Sequence, residues 1–128
     1  MEEGLYNFQR VKAWQKSHDY VLSVYLVTKH FPNEEKFGLT SQFRRAAVSI
    51  AANIAEGYRK LSKSDKLRFF NISQGSLEEC RYYNFLSRDL EYIDDNEFNM
   101  LKMKIDDTSR LLNAYCDAII KNQGIYDY

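Results

Sequence analysis

The chain has 128 residues, the size of one domain, with 45% apolar and 28% charged side chains, a soluble globular balance. Its 18 basic and 18 acidic residues cancel to a formal net charge of zero, which excludes strong global attraction to nucleic acid and leaves a local basic patch as the route to such binding. No apolar stretch nears the roughly 18–20 residues that cross a bilayer, and Met1-Glu2-Glu3-Gly4 lacks the basic-then-apolar layout of a secretory leader, so the expected location is cytoplasmic, with no membrane partner.

Four segments repeat their apolar residues with a period near 3.6, and each predicts a helix. The first covers residues 11–29, with Trp14, Val21, Val24, Tyr25 and Thr28 on one stripe, and stops before Pro32. The second covers residues 39–60, with Thr40 as the expected N-cap and Phe43, Ala47, Ile50, Ile54 and Tyr58 as its stripe. Its side chains are unusually small, so neighbouring backbones can approach it on more than one face. The third begins near residues 62–64, where Ser62-x-x-Asp65 resembles a capping box. Its stripe is Phe69/Phe70, Ile72, Leu77, Cys80, Tyr83, Leu86 and Leu90, and Gly75 inside it implies close approach by a neighbouring helix. The fourth opens at Asp94-x-x-Glu97, continues through Phe98, Leu101, Ile105, Thr108, Leu111/Leu112, Tyr115 and Ile119, and closes at Gly124.

About ten residues join the first two helices, three or four the next pair and about four the last. Links this short make successive helices antiparallel neighbours. The expected fold is all-α: one up-down-up-down four-helix bundle over residues 1–128, with loose ends at about 1–7 and 123–128.

Motifs that would announce a reaction are missing. The two histidines, His18 and His30, do not follow a glutamate by three, as di-iron bundles require. A Gly-rich phosphate loop, a nucleophile elbow and a CxxC pair are likewise absent from the sequence. The expectation is no catalysis, no metal and no cofactor, with Cys80 and Cys116 as buried thiols in a reducing compartment. Ten tyrosines and eight phenylalanines serve packing first. Tyr82 and Tyr83, being adjacent, cannot both enter one core, so at least one meets solvent or another subunit.

Two polar sets stand out. Arg45, Asn53 and Glu56 on the second helix, with Ser76 and Glu79 on the third, are expected to form a buried or half-buried network. Arg59, Lys60, Lys63, Lys66 and Arg68 surround the second connection against one acid, Asp65, while Asp89, Glu91, Asp94, Asp95 and Glu97 surround the third. An up-down bundle puts those connections at opposite ends. Arg10, Lys12 and Lys121 belong to the basic end, Glu34 and Glu35 to the acidic one. The five cations form a candidate phosphate-contacting pole.

The run Gly38-Leu39-Thr40-x-Gln42-x-x-Arg45-Ala46-Ala47-x-Ser49-Ile50-x-x-Asn53-Ile54-Ala55-Glu56-Gly57 resembles the signature of a bacterial four-helix bundle family, the 23S rRNA intervening-sequence proteins, also labelled ribosomal protein-like. Val11-x-x-Trp14-Gln15-Lys16, Phe31-Pro32-x-x-Glu35-x-Phe37-Gly38 and Gly75-Ser76-x-x-Glu79 extend the resemblance over about residues 8–112. It implies a homopentamer without known catalysis. The related accessory variability proteins of diversity-generating retroelements bind nucleic acid and reverse transcriptase through a strongly basic surface, whereas this chain is neutral. Two readings stay open: a non-catalytic homo-oligomeric module presenting repeated surfaces to RNA, DNA or a protein partner, and a small-ligand binder or enzyme using Asn53, Glu56 and Glu79.

Overall fold

The computed structural model describes residues 4–121. Four long helices carry the fold: α1 (Lys12–Thr28), α2 (Leu39–Arg59), α3 (Lys63–Asp89) and α4 (Asp95–Ile120). A short 3-10 segment, Asn7–Arg10, precedes α1, and a second, Asn33–Glu35, lies between α1 and α2. Among the described residues there is no strand. The first 3-10 turn, opening at Asn7, packs on α1 and α2, and the start of the expected loose segment, residues 1–3, lies outside the described residues. The expected stop at Gly124, and the loose end at 123–128, lie outside the described residues.

Each helix packs on two others, α1 on α2 and α4, and α3 on α2 and α4, so the four form a square with α1 diagonal to α3. The bundle is the antiparallel up-down-up-down arrangement that the short links require. Its core runs from Val11 and Tyr20 through Val24, Phe43, Ile50 and Ile54 to Phe70, Leu77, Leu101, Ile105, Leu112 and Tyr115.

Local chemistry sets the helix ends. Ser62 caps α3 by accepting from the Asp65 amide at 3.1 Å. At α4 the box closes both ways, Glu97 N–H to Asp94 Oδ1 at 2.7 Å and Asp94 N–H to Glu97 Oε1 at 3.1 Å. The start of α2 differs from expectation. Gly38 occupies the cap position and Thr40 is buried inside the helix. The capping oxygen comes from Glu35, whose Oε1 accepts the Leu39 amide at 3.2 Å while its Oε2 accepts the Tyr92 hydroxyl at 2.8 Å. One carboxylate thus ties the entry to α2, four residues away, to Tyr92 in the chain-distant α3–α4 turn.

Of the two helical glycines, Gly75 does not take the close-approach role expected of it. Gly75 is exposed, and a side chain there would meet nothing within 4 Å. Gly57 is the point of close approach: an added Cβ would lie 2.7 Å from Phe70 Cε1 and 2.9 Å from Phe69 Cβ. Three stripe residues also turn outward, Tyr25, Ile72 and Leu90, while Ser17, Tyr20 and Ser23 are buried instead.

Candidate functional site

The antiparallel topology gathers the N-termini of α1 and α3 and the C-termini of α2 and α4 at one end. Two helix C-termini there present unpaired carbonyls and partial negative charge, which favour cations. Lys66 Nζ donates to the Tyr58 carbonyl near the end of α2 at 2.5 Å, and Lys63 Nζ donates to the Ile120 carbonyl at the end of α4 at 3.3 Å. These two lysines therefore close helices. Burial, then the charge of Arg59, lowers the Lys66 pKa from its ordinary value.

The remaining three cations are disposed differently. Lys60 Nζ and the Arg68 guanidinium carbon lie 4.9 and 4.7 Å from the Phe69 ring centre. Arg68 stands 4.0 Å from Asp65 in a pair open to water, where such contacts contribute little. Arg59 is exposed at the last position of α2. Arg10 and Lys12 are exposed at the same end, and Lys121 pairs with Asp117 at 3.1 Å. The five predicted cations thus share one end of the molecule, two as helix caps and three along its surface.

The second set does not assemble as one network. Between α2 and α3 the hub is Ser49, which sequence reasoning did not single out. Ser49 Oγ accepts the Ser76 hydroxyl at 2.8 Å and Asn53 Nδ2 at 3.0 Å. One turn along, the Ser73 hydroxyl donates to the Ile50 carbonyl at 2.9 Å. Of the five expected residues Ser76 is buried and Asn53 half-buried, but Arg45, Glu56 and Glu79 are exposed. Arg45 and Glu79 face an open groove of about 520 Å³ above this seam, where Tyr83 Oη lies 3.2 Å from Glu79 Oε2 and 3.3 Å from Gln42 Oε1. Glu56 points away from it, into a different groove along the outer face of α2. The physical reason is angular. Asn53 and Glu56 are three residues apart, and on α2 that step carries the chain from the α3 seam to the outer surface.

Asn53, Glu56 and Glu79 therefore do not converge on one point. Among the described residues no group of three or more His, Cys, Asp or Glu side chains could hold a metal ion, and no helix is long and apolar enough to cross a membrane. Cys80 is buried, its thiol pushed up to about 12 by burial, and burial likewise raises Cys116 to about 11. Neither is poised as a nucleophile. Sequence reasoning also missed the groove beside the first 3-10 segment. Its trace was the spacing Ala52, Ala55, Glu56, Arg59, which places four residues on one outward strip of a helix.

Comparison with known proteins agrees with this architecture. A solved structure from Bacteroides thetaiotaomicron VPI-5482, a protein with unknown function from the S23 ribosomal protein family, superposes with a TM-score of 0.76 at 25% sequence identity, covering 82% of this chain and 95% of that one. A search of curated proteins finds no match. The family model for the 23S rRNA-intervening sequence protein matches residues 9–114, and with the helix order and packing described above it establishes that the chain belongs to that family.

Proposed function

We propose that the protein is a non-catalytic, homo-oligomeric four-helix module that contacts RNA or DNA through its basic pole. The observation that carries this reading is the placement of Arg59, Lys60, Lys63, Lys66 and Arg68 at one end of the bundle, opposed over residues 59–68 only by Asp65. The helix-terminal carbonyls occupy Lys63 and Lys66, leaving Arg59, Lys60 and Arg68 for phosphates. Self-association is supported by apolar side chains left in solvent: Phe37 is 89% exposed, Met103 69%, and Leu26 and Tyr82 60% each. The resemblance to pentameric relatives supplies the number five. In a closed ring, cyclic symmetry turns the same end of every subunit to the same side, so a neutral assembly would carry one basic and one acidic rim.

Titration of labelled RNA and DNA at about 50 mM salt tests this. Binding without sequence preference, abolished when Arg59, Lys60 and Arg68 are all changed to Gln, is the expected result. Absence of binding would leave protein–protein scaffolding as the function.

A further inference from the structure

The first 3-10 segment and the outer face of α2 enclose a groove of about 600 Å³, within the range of about 300–1,000 Å³ usual for small-molecule sites. Its floor is bare, because Ala52 and Ala55 end at Cβ. Its walls are aromatic, from Tyr6, Phe8 and Tyr58. The Tyr6 and Phe8 rings are almost parallel, 9° apart with centres 5.9 Å from one another, and Tyr6 is 71% exposed. One flat ring surface is therefore open to an incoming ring. Arg59 lines the same groove, and Arg10 ends the segment that forms one wall. Glu56 lies there too as an exposed carboxylate, able to accept from an amino group or a sugar hydroxyl.

We propose that this groove takes an unpaired base of single-stranded RNA or DNA whose backbone runs across the basic pole. The proposal rests on the reading of that pole as a phosphate-binding surface. Flat aromatic walls interleaved with cations are the surface chemistry of single-strand binders, in which bases stack on rings and phosphates follow the charge. A duplex keeps its bases stacked inside and offers nothing to such a groove. Charge complementarity fixes the occupant as an anion that carries flat rings: Arg59 stands at the groove, Lys60 follows it in the connection to α3, and Arg68 lies near the start of α3.

The test uses fluorescence anisotropy with a labelled single strand of about 10 nucleotides, a length one such track can hold, and the duplex of the same sequence, at about 50 mM salt. Two variants leave every cation in place: Tyr6→Ala removes the open ring, and Ala55→Leu fills the floor. Each is expected to weaken single-strand binding about tenfold, the scale of removing one base–ring stack, and to leave duplex binding unchanged. If single strand and duplex bind alike and neither variant matters, the groove is unused while the basic pole stands. If neither nucleic acid binds, the basic pole fails and the groove proposal falls with it. If either variant changes the particle size in light scattering, the groove is a contact between copies and the proposal is overturned.

Discussion

The hydroxyl of Ser76 on α3 donates to the hydroxyl of Ser49 on α2 at 2.8 Å, so the helix pair with the most extensive contact in the bundle meets through two of its smallest polar side chains. Asn53 Nδ2 completes the cluster by donating to both the hydroxyl and the carbonyl of Ser49. Ser76→Ala should cost about 1 kcal/mol, the net value of one such bond. A double-mutant cycle with Ser49→Ala should show coupling on the order of 0.5 kcal/mol or more in urea denaturation. Strictly additive effects would mean that the two hydroxyls do not cooperate.

The two glycines in helices should respond in opposite ways. Gly57→Ala drives a Cβ to within 2.7 Å of Phe70, and should destabilise by about 1–3 kcal/mol as overpacking does. Gly75→Ala enters open space and should stabilise by about 1 kcal/mol through helix propensity alone. Thermal melts of the two variants give the comparison directly.

Acid should weaken one contact between α3 and α4. The Asp106 carboxyl is held below the ordinary aspartate range first by the hydrogen bond from Lys102 and then by that from Arg81, against an opposing effect of burial. Its folded-state pKa is lowered, so its stabilisation is present above the unfolded value of about 3.9 and fades as pH falls through the folded one. Because the side chain is 43% exposed, the effect should stay under about 1 kcal/mol. Wild type should exceed Asp106→Asn in stability at neutral pH and converge with it as pH falls through the lowered folded-state pKa. A constant difference across that window would assign the effect to packing.

The thiols should be inert in the folded protein. With Cys80 raised to about 12 and Cys116 to about 11, little thiolate exists near pH 8. Ellman's reagent should react with both only after denaturation. Rapid reaction of native Cys80 would contradict its burial in the core.

Much of the bundle was legible in the sequence because helix periodicity and local caps are short-range signals. Ser62-x-x-Asp65 and Asp94-x-x-Glu97 act within one turn, and the structure shows both caps formed. The cap of α2 was not legible as such, since Thr40 matches the cap preference while the oxygen actually used belongs to Glu35, placed by the intervening turn. A glycine within a helix marks either a close neighbour or an empty surface, and only the packing of Phe70 separates Gly57 from Gly75. The basic cluster was visible as composition. Lys66 reaches Tyr58 across the short α2–α3 connection, but that Lys63 ends on the Ile120 carbonyl depends on two chain-distant helix ends meeting, which no local pattern encodes. The same holds for Glu56, whose direction is set by which face of α2 the bundle buries.

Self-association has a direct size measurement. Light scattering at micromolar concentration should report about five times the 15.2 kDa subunit. A value near one subunit would remove the ring and leave the basic pole as a monomer's surface.

The salt dependence of oligonucleotide binding tests the central claim. For the wild-type protein, the logarithm of affinity should fall linearly with the logarithm of salt concentration as phosphate contacts release counterions. Replacing Arg59, Lys60 and Arg68 with Gln should flatten that slope by about one for each phosphate no longer neutralised, while the thermal melt is preserved. No binding at about 50 mM salt, or a slope that the triple substitution does not move, would contradict the account.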